Sequence, residues 1–423
     1  MRKMKPSGVE WIGDIPQEWE IALIKYSIKW KSEKRKPDAT VLSLYRDYGI
    51  VPKDSRDDNH NVTSLDTSGY KVVDIGDFVI NKMKAWQGSM AISSYKGIVS
   101  PAYHVCEITD DKVYRNYFHY LLRSDLYITE YTRLSKGMRI GQWDLDFNDF
   151  KNLPFLIPPI SEQQRIAEFL DRKCAEIDSI IGKTKATVEE YKALKQAVIT
   201  QAVTKGIRPD RPMKDSGVEW IGDIPQEWAI VKMKHLGRCR NGLTYSPENV
   251  VDEEIGTLVL RSSNIKDGKL MFSDNVFVNN DIREELMVKQ GDILICSRNG
   301  SRSLIGKNAI IPKNLVATFG AFMMIFRCDK PEYVGYILSS QIFSYYLGTF
   351  LTSTINQLTA DNFNNMQVVY CQDEREQVEI ITYLDHKCAE IDRLIAAKEQ
   401  LLTELESYKK SVIYEYVTGK KEV

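Results

Sequence analysis

The chain has no stretch approaching the roughly eighteen uncharged apolar residues that a membrane-spanning helix needs. Its N-terminus, MRKMKPSGVEW, has no apolar signal core, so the cytoplasm is the expected location. Seven cysteines, Cys106, Cys174, Cys239, Cys296, Cys328, Cys371 and Cys388, are odd in number and never form CxxC, which argues against a disulfide frame and a zinc site. The five histidines, His60, His104, His119, His235 and His386, show no paired metal spacing. Charge of one sign is also missing: 57 basic against 58 acidic residues leave a formal net charge of −1. That balance excludes a histone-like polycation, yet it permits a nucleic-acid reader whose basic residues gather on one face.

Catalytic motifs are lacking too. Asn152-Leu153-Pro154-Phe155 imitates the (Asn/Asp)-Pro-Pro-aromatic loop of adenine methyltransferases, but the first proline is missing and no glycine-rich donor loop lies upstream. Gly300 to Asn308, GSRSLIGKN, imitates a phosphate-binding loop with one residue too many before Gly306-Lys307, and Asn308 stands where a hydroxyl should reach magnesium. A turn between strands is the expected structure there. The catalytic and metal-ligating sets are therefore empty, and no cofactor is expected in this chain.

What the sequence does have is a long internal repeat. SGVEWIGDIPQEW runs from Ser7 to Trp19 and returns letter for letter from Ser216 to Trp228. A second echo pairs EQQRIAEFLDRKCAEID, Glu162 to Asp178, with EQVEIITYLDHKCAEID, Glu376 to Asp392. The chain is a tandem duplication. With 43% hydrophobic and 27% charged residues over 423 positions, two folded globular units are expected. The divisions are 1–19, a repeat segment; 20–157, the first globular unit; 158–206, a long helix; 207–228, linker and second repeat segment; 229–371, the second unit; and 372–420, a second long helix. Trp11, Trp19, Trp220 and Trp228 are expected to close a small core near a helix end.

Within the first unit, Val41–Tyr45, Tyr70–Val73, Asp77–Lys82 and Ile98–Cys106 read as strands and Tyr114–Ser124 as a helix, with Tyr114, Phe118 and Leu121 on one face. Asp47 to Asn61 and the segment LSKGMRIGQWDLD read as exposed loops. The class is α+β.

From Ser161 the pattern turns helical. Ser161 with Gln164 suits a capping box, repeated by Asp373 with Glu376, and Gly206 and Gly419 suit the stops. Ile177, Ile181, Thr184, Val188, Tyr191, Leu194, Val198 and Ala202 form one stripe. Ile391, Ile395, Lys398, Leu402, Leu405, Tyr408, Val412 and Tyr416 repeat it. Matched stripes at helical spacing predict an antiparallel pair of long helices that separates the two units, with an internal pseudo-twofold repeat. Lys205 to Gly217 reads as a linker, His386 as a surface residue, and Cys174 and Cys388 as small buried hydrophobes.

Candidate binding residues gather in comparable loops of the two copies. In the first they are Arg46, Lys53, Arg56, Asn81, Lys82, Lys84, Trp86, Gln87, Arg133, Lys136, Arg139 and Gln142. In the second they are Arg261, Ser262, Asn264, Arg298, Asn299, Ser301, Arg302, Asn356 and Gln357. Arginine and lysine suit guanine edges and phosphates, asparagine and glutamine suit adenine edges, and double-stranded DNA is the expected ligand.

The paired WIGDIPQEW segments, the passage NLPFLIPPISEQQRIAEFLD and its echo ending in LDHKCAEID resemble the specificity subunit of type I DNA restriction-modification systems, the HsdS family. The second copy departs from the pattern, with YCQDEREQVEI in place of a Pro-Pro pair. This resemblance implies two target recognition domains, each reading half of a split DNA site. It also implies two methyltransferase subunits using S-adenosylmethionine and translocase-nuclease subunits using ATP and magnesium. The alternatives are a stand-alone bivalent DNA-binding regulator and a bivalent protein-binding scaffold.

Overall fold

The structure, a computed structural model, describes residues 2–34, 39–46, 49–55, 66–137, 143–351 and 356–423. Two compact units divide the chain: unit 1 is Met1–Lys185 with Gln400–Val423, and unit 2 is Ala186–Glu399. The helices are α1 (Arg115–Leu122), α2 (Asp125–Leu134), α3 (Phe147–Lys151), α4 (Ile160–Lys205), α5 (Pro331–Leu338), α6 (Gln341–Phe350), α7 (Ala360–Asn365) and α8 (Glu374–Val417). Both long helices cross the division, so each unit holds half of each.

Unit 1 is built on an antiparallel sheet in the order Ile28–Lys31, Tyr103–Ile108, Phe78–Asn81, Met90–Ile92. Successive strand side chains point to opposite faces. Phe78, Ile80 and Cys106 therefore join the core under α1 to α3, while Val79, Ala91 and Val105 join a second cluster with Leu42, Leu44, Ile50, Val73 and Val99. Burial on both faces explains why FVIN is apolar almost throughout. Each large side chain so buried contributes about 1.5–3 kcal/mol.

Unit 2 repeats this plan with Gly237–Asn241, Met323–Cys328, Ile293–Cys296 and Asn308–Ile310 in the same order. Ile293, Ile295, Met324 and Phe326 face one cluster, and Leu294, Cys296, Met323 and Ile325 face another. A further sheet, in which Thr257–Leu260 runs parallel to Ala317–Phe319, covers the second face. The segment that imitates a phosphate-binding loop is the connection between Ile293–Cys296 and Asn308–Ile310, turned by Gly306 at φ +87°.

Several local expectations are corrected. Ile98–Cys106 is not one strand: Gly97–Val99 and Tyr103–Ile108 are separated by a turn at Ser100 to Tyr103 containing Pro101, whose ring cannot donate to a sheet ladder. The Asp47–Asn61 loop includes a strand, Gly49–Pro52, paired with Leu42–Tyr45; residues 47, 48 and 56–61 lie outside the described set. The helix expected over Tyr114–Ser124 is followed at once by α2, whose Tyr127 and Tyr131 are fully buried. Part of the Lys205–Gly217 linker is a strand, Met213–Asp215, paired with Asp223–Pro225 of the second repeat segment.

The long helices start differently from the expected capping box. In the first, α4 begins at Ile160, and the Pro159 carbonyl accepts from the amides of Glu162 (2.8 Å) and Gln163 (3.0 Å), so Ser161 lies inside the first turn. In the second, Asp373 does cap, accepting from the Arg375 amide at 2.9 Å, but Glu376 turns inward instead of back to the cap. Gly206 and Gly419, at φ +76° and +69°, follow the helix ends as the left-handed stop requires.

In unit 1 the first half of α4 runs antiparallel to the last part of α8: Phe169 packs on Tyr416 (ring centroids 4.3 Å), and further along Asp178 meets Lys409 (2.7 Å). In unit 2 the second half of α4 pairs with the first part of α8, where Lys195 meets Asp392 at 2.6 Å. Ile177, Thr184, Val188, Ala202, Ile391 and Val412 are buried; Ile181, Tyr191, Val198, Ile395, Leu402 and Leu405 are half-buried. Leu194 and Tyr408, repeat equivalents, leave the stripe and are 48% and 50% exposed.

Candidate nucleic-acid interface

In unit 1 the candidate residues split into two groups. The strand Phe78–Asn81 delivers Lys82, Lys84, Trp86 and Gln87 into one loop. Lys82 donates to Asp144 at 2.9 Å, the Leu145 amide to the Lys82 carbonyl at 3.0 Å, and Trp86 packs on Trp143 with ring centroids 5.0 Å apart. Lys136 pairs with Asp144 through the backbone, and the end of α2 closes on the loop through Thr132, which donates to the Trp86 carbonyl at 3.1 Å. Arg133, on α2, is held by Glu130 at 2.8 Å. Asn81 is buried and braces the turn by accepting from the Met83 amide.

Arg46 and Lys53 stand apart from each other. They flank opposite ends of the Leu42–Tyr45 and Gly49–Pro52 hairpin, whose register pairs Tyr45 with Gly49 and Leu42 with Pro52. Arg56, Arg139 and Gln142 lie outside the described residues.

Unit 2 assembles a more continuous patch. Asn299 donates to Ser262 at 3.1 Å, Arg298 bridges to Gln357, and the Leu358 amide donates to the Ser297 carbonyl at 2.7 Å. The Arg298 guanidinium lies over the ring of Phe322 at 5.3 Å, and that ring is 58% exposed. Among the described residues Arg298 makes no ion pair, so its planar fork keeps donors for a guanine edge or a phosphate. Asn356 reaches the Gly300 carbonyl at 3.5 Å, and Ser301 bonds Ser303. Arg302 turns back to the Gly348 carbonyl, and Arg261 is tied to Asp274 at 2.8 Å. Asn264 is fully buried, bonded to the Arg261 amide and the Met271 carbonyl; it shapes the loop from inside.

Each unit also carries a lock that periodicity and spacing did not predict. Trp19 donates to Glu162 at 3.0 Å while Arg2 pairs with the same carboxylate and lies over the Trp19 ring at 5.4 Å. In unit 2 Trp228 donates to Glu376 at 3.2 Å, and Arg211 pairs with Glu376 and covers Trp228, again at 5.4 Å. Burial works against the Glu376 carboxylate, but hydrogen bonds from Arg211 and Trp228 win and hold it below its ordinary value. A signal for the lock is present in the letters: RxMKxSGVEW extends the repeat back to Arg2 and Arg211. Trp11 and Trp220 pack on Tyr127 and Tyr345, at 5.1 and 4.1 Å. The repeat segments thus serve each unit's frame, as the four tryptophans suggested.

Among the described residues no group of three or more His, Cys, Asp or Glu side chains is placed to hold a metal, and no helix is long and apolar enough to cross a membrane. All seven cysteines are free, with Cys174 and Cys388 buried.

Fold and patches together define a duplicated recognition protein, in which two similar α+β units carry different loop surfaces on the same helical frame. Residues 17–190 match the type I restriction modification DNA specificity domain, and over almost its whole length the chain is similar to specificity subunits of type I restriction-modification systems. The MjaVIII specificity subunit of Methanocaldococcus jannaschii is 25% identical over 96% of this chain and 93% of its own length. The EcoKI specificity subunit of Escherichia coli K12 is 27% identical over 47% of this chain and 44% of its own. A solved chain described under the complex assembly and conformational transition of the type I R-M system superposes with a TM-score of 0.71. It covers 96% of this chain and 99% of that one at 16% identity, a likeness of fold.

Proposed function

We propose that the chain reads a bipartite DNA site, unit 1 taking one half through the Lys82–Trp86 and Lys136 loops and unit 2 the other through the Arg298 patch. The observation that carries this reading is the contrast between a frame duplicated down to single hydrogen bonds and loops whose candidate base-reading side chains differ. A frame kept the same twice serves a common partner; loops that differ read different bases. Major-groove docking from one side of the duplex sets the half-site centres about one helical turn, roughly 10 bp, apart, with a gap of roughly 6 bp. Two methyltransferase subunits, using S-adenosylmethionine to methylate adenines, assemble on the helical frame. Restriction-translocase subunits using ATP and magnesium join them, in the cytoplasm.

Mapping methylated adenines at base resolution in cells carrying the complete system tests this directly. The expected outcome is two short half-sites with a fixed gap, and exchange of residues 20–157 for another recognition unit should rewrite one half-site only. Methylation at undivided sites, or a change in both halves, overturns the proposal.

A further inference from the structure

Beyond the loops already named, unit 1 gathers three lysines from separate segments. Lys34 and Lys71 are partners in an antiparallel bridge, and Lys82 follows the strand Phe78–Asn81. Lys71 is buried, with 9% of its surface exposed, and its ammonium donates to the Tyr103 carbonyl and lies 5.9 Å from the ring of Trp30. Neither Lys34 nor Lys71 has an ion pair among the described residues, whereas Lys82 has Asp144. Burial first, then the like charges of Lys82 and Lys34, push the Lys71 ammonium below the ordinary lysine value. A buried cation without a counter-charge is costly, and such an arrangement marks a functional site more often than a stabilising one.

A second observation points to the same place. His104, on the strand beside Phe78–Asn81, packs against Trp30 (ring centroids 6.5 Å) and Phe147 (5.0 Å), and its Nδ1 is buried without a hydrogen-bond partner. Burial, with Lys71 and Lys82 behind it, lowers its pKa to about 4, against the smaller opposing effects of Asp144 and Asp146. The ring is therefore neutral near pH 7 and offers one N–H donor. Asp146 is engaged at the start of α3, accepting from the Asn148 amide at 2.7 Å. Trp30 itself is 51% exposed, so the cluster opens to solvent beside the Lys82–Asp144 loop.

The fold does not demand this set. Strand registers align Trp30 with Cys239 and His104 with Met324, and the shared Gly-Asp pair aligns Lys82 with Ser297. Unit 2 has the same sheet with uncharged residues at all three places, and Cys239 and Met324 simply pack together.

We infer that Lys34, Lys71 and Lys82, with Trp30 and His104, form a phosphate anchor that grips the DNA backbone at the half-site read by unit 1. This rests on the DNA-reading proposal above. Phosphate supplies the counter-charge that Lys71 lacks and an acceptor for the imidazole N–H, and fixes the register of the neighbouring Lys82–Trp86 loop on the duplex.

The test is a salt titration of duplex DNA binding by the full chain, followed by fluorescence anisotropy, alone and with the methyltransferase subunits. Variants are Lys34→Gln, Lys71→Met and, as a charge-matched control at the far end of the unit 2 sheet strand, Lys289→Gln. A lysine that neutralises one phosphate contributes about 0.9 to the slope of log affinity against log salt, and its replacement should lower the slope by that amount. The expected result is a reduced slope for K34Q and K71M, a wild-type slope for K289Q, and a melting temperature of K71M equal to or above wild type. Wild-type slopes for both K34Q and K71M, or a K71M protein that melts earlier but binds DNA normally, overturn the anchor alone. Failure of the wild-type chain to bind duplex DNA in either arm overturns the DNA-reading proposal beneath it.

Discussion

Lys409 donates to both carboxylate oxygens of Asp178 at 2.7 Å, and the repeat equivalents, Lys195 and Asp392, make the same pair at 2.6 and 2.8 Å. One pair lies in each unit, and each fixes the antiparallel register of the helix halves there. These side chains are partly exposed, so each pair is worth about 0.2–1 kcal/mol. Lys409→Asp should lower the melting temperature of unit 1 slightly, and adding Asp178→Lys should restore it. A double variant no more stable than the single one removes the register role.

The buried lock makes a larger prediction. Glu376 is 3% exposed in its side chain, and its removal takes the acceptor from Trp228 and leaves Arg211, which is 12% exposed, with the exposed Glu227 as its remaining carboxylate. Glu376→Ala should cost about 1–3 kcal/mol in denaturant unfolding, the penalty of leaving buried hydrogen-bonding groups without a partner. Glu227, on the outer side of Arg211 at 3.0 Å, should cost far less when replaced.

The same residue sets an acid limit. Because the folded-state pKa of Glu376 is depressed, its contribution to stability is fully present above the ordinary glutamate value of about 4.3 and is lost as pH falls through the lower folded value. Unit 2 should therefore lose stability in that acid window. Glu376→Gln should flatten this part of the profile, as measured by thermal melts across pH.

Leu194 and Tyr408 occupy matching places on the two long helices and are half exposed, although most of the stripe they continue is buried or half-buried. Leu194→Asp with Tyr408→Asp should leave the melting temperature of the isolated chain near wild type and weaken association with methyltransferase subunits in analytical ultracentrifugation. An unchanged association constant places the partner surface elsewhere.

A change in the spacer should read out in the DNA site. Inserting four residues near Lys185 and Lys398, about one turn or 6 Å of each helix, should lengthen the gap between methylated half-sites without altering either half. Replacing Arg298 by Ala should instead relax one position of the unit 2 half-site, at about 1–3 kcal/mol of discrimination.

Much of the architecture was legible in the letters because it depends on local periodicity and on repetition. The duplication, the α+β class, the long helices with their Gly206 and Gly419 stops, and the turn at Gly300 to Asn308 follow from spacing along the chain. The start of α4 was not: Ser161 has the chemistry of a cap, but the chain direction set by Pro158 and Pro159 places the cap two residues earlier, whereas Asp373 does cap α8. The break at Pro101 and the second helix α2 were hidden for a related reason, since a buried strand and a buried helix show similar apolar runs.

The sequence alone determined that there are two units built on one repeated plan, since identity between distant segments carries that information without coordinates. Only the tertiary structure decided what the polar residues do. Asn264 and Asn81 look like base readers in the letters and are buried braces in the fold; Arg211 looks like a linker charge and Arg2 like a charge of the chain's first residues, and both are half-buried partners of a tryptophan and a glutamate. Lys71 looks like an ordinary strand lysine until Lys34, Lys82 and Trp30 arrive beside it. A polar side chain's role is set by which distant groups surround it and by how much water they exclude, and neither is written in its neighbours along the chain.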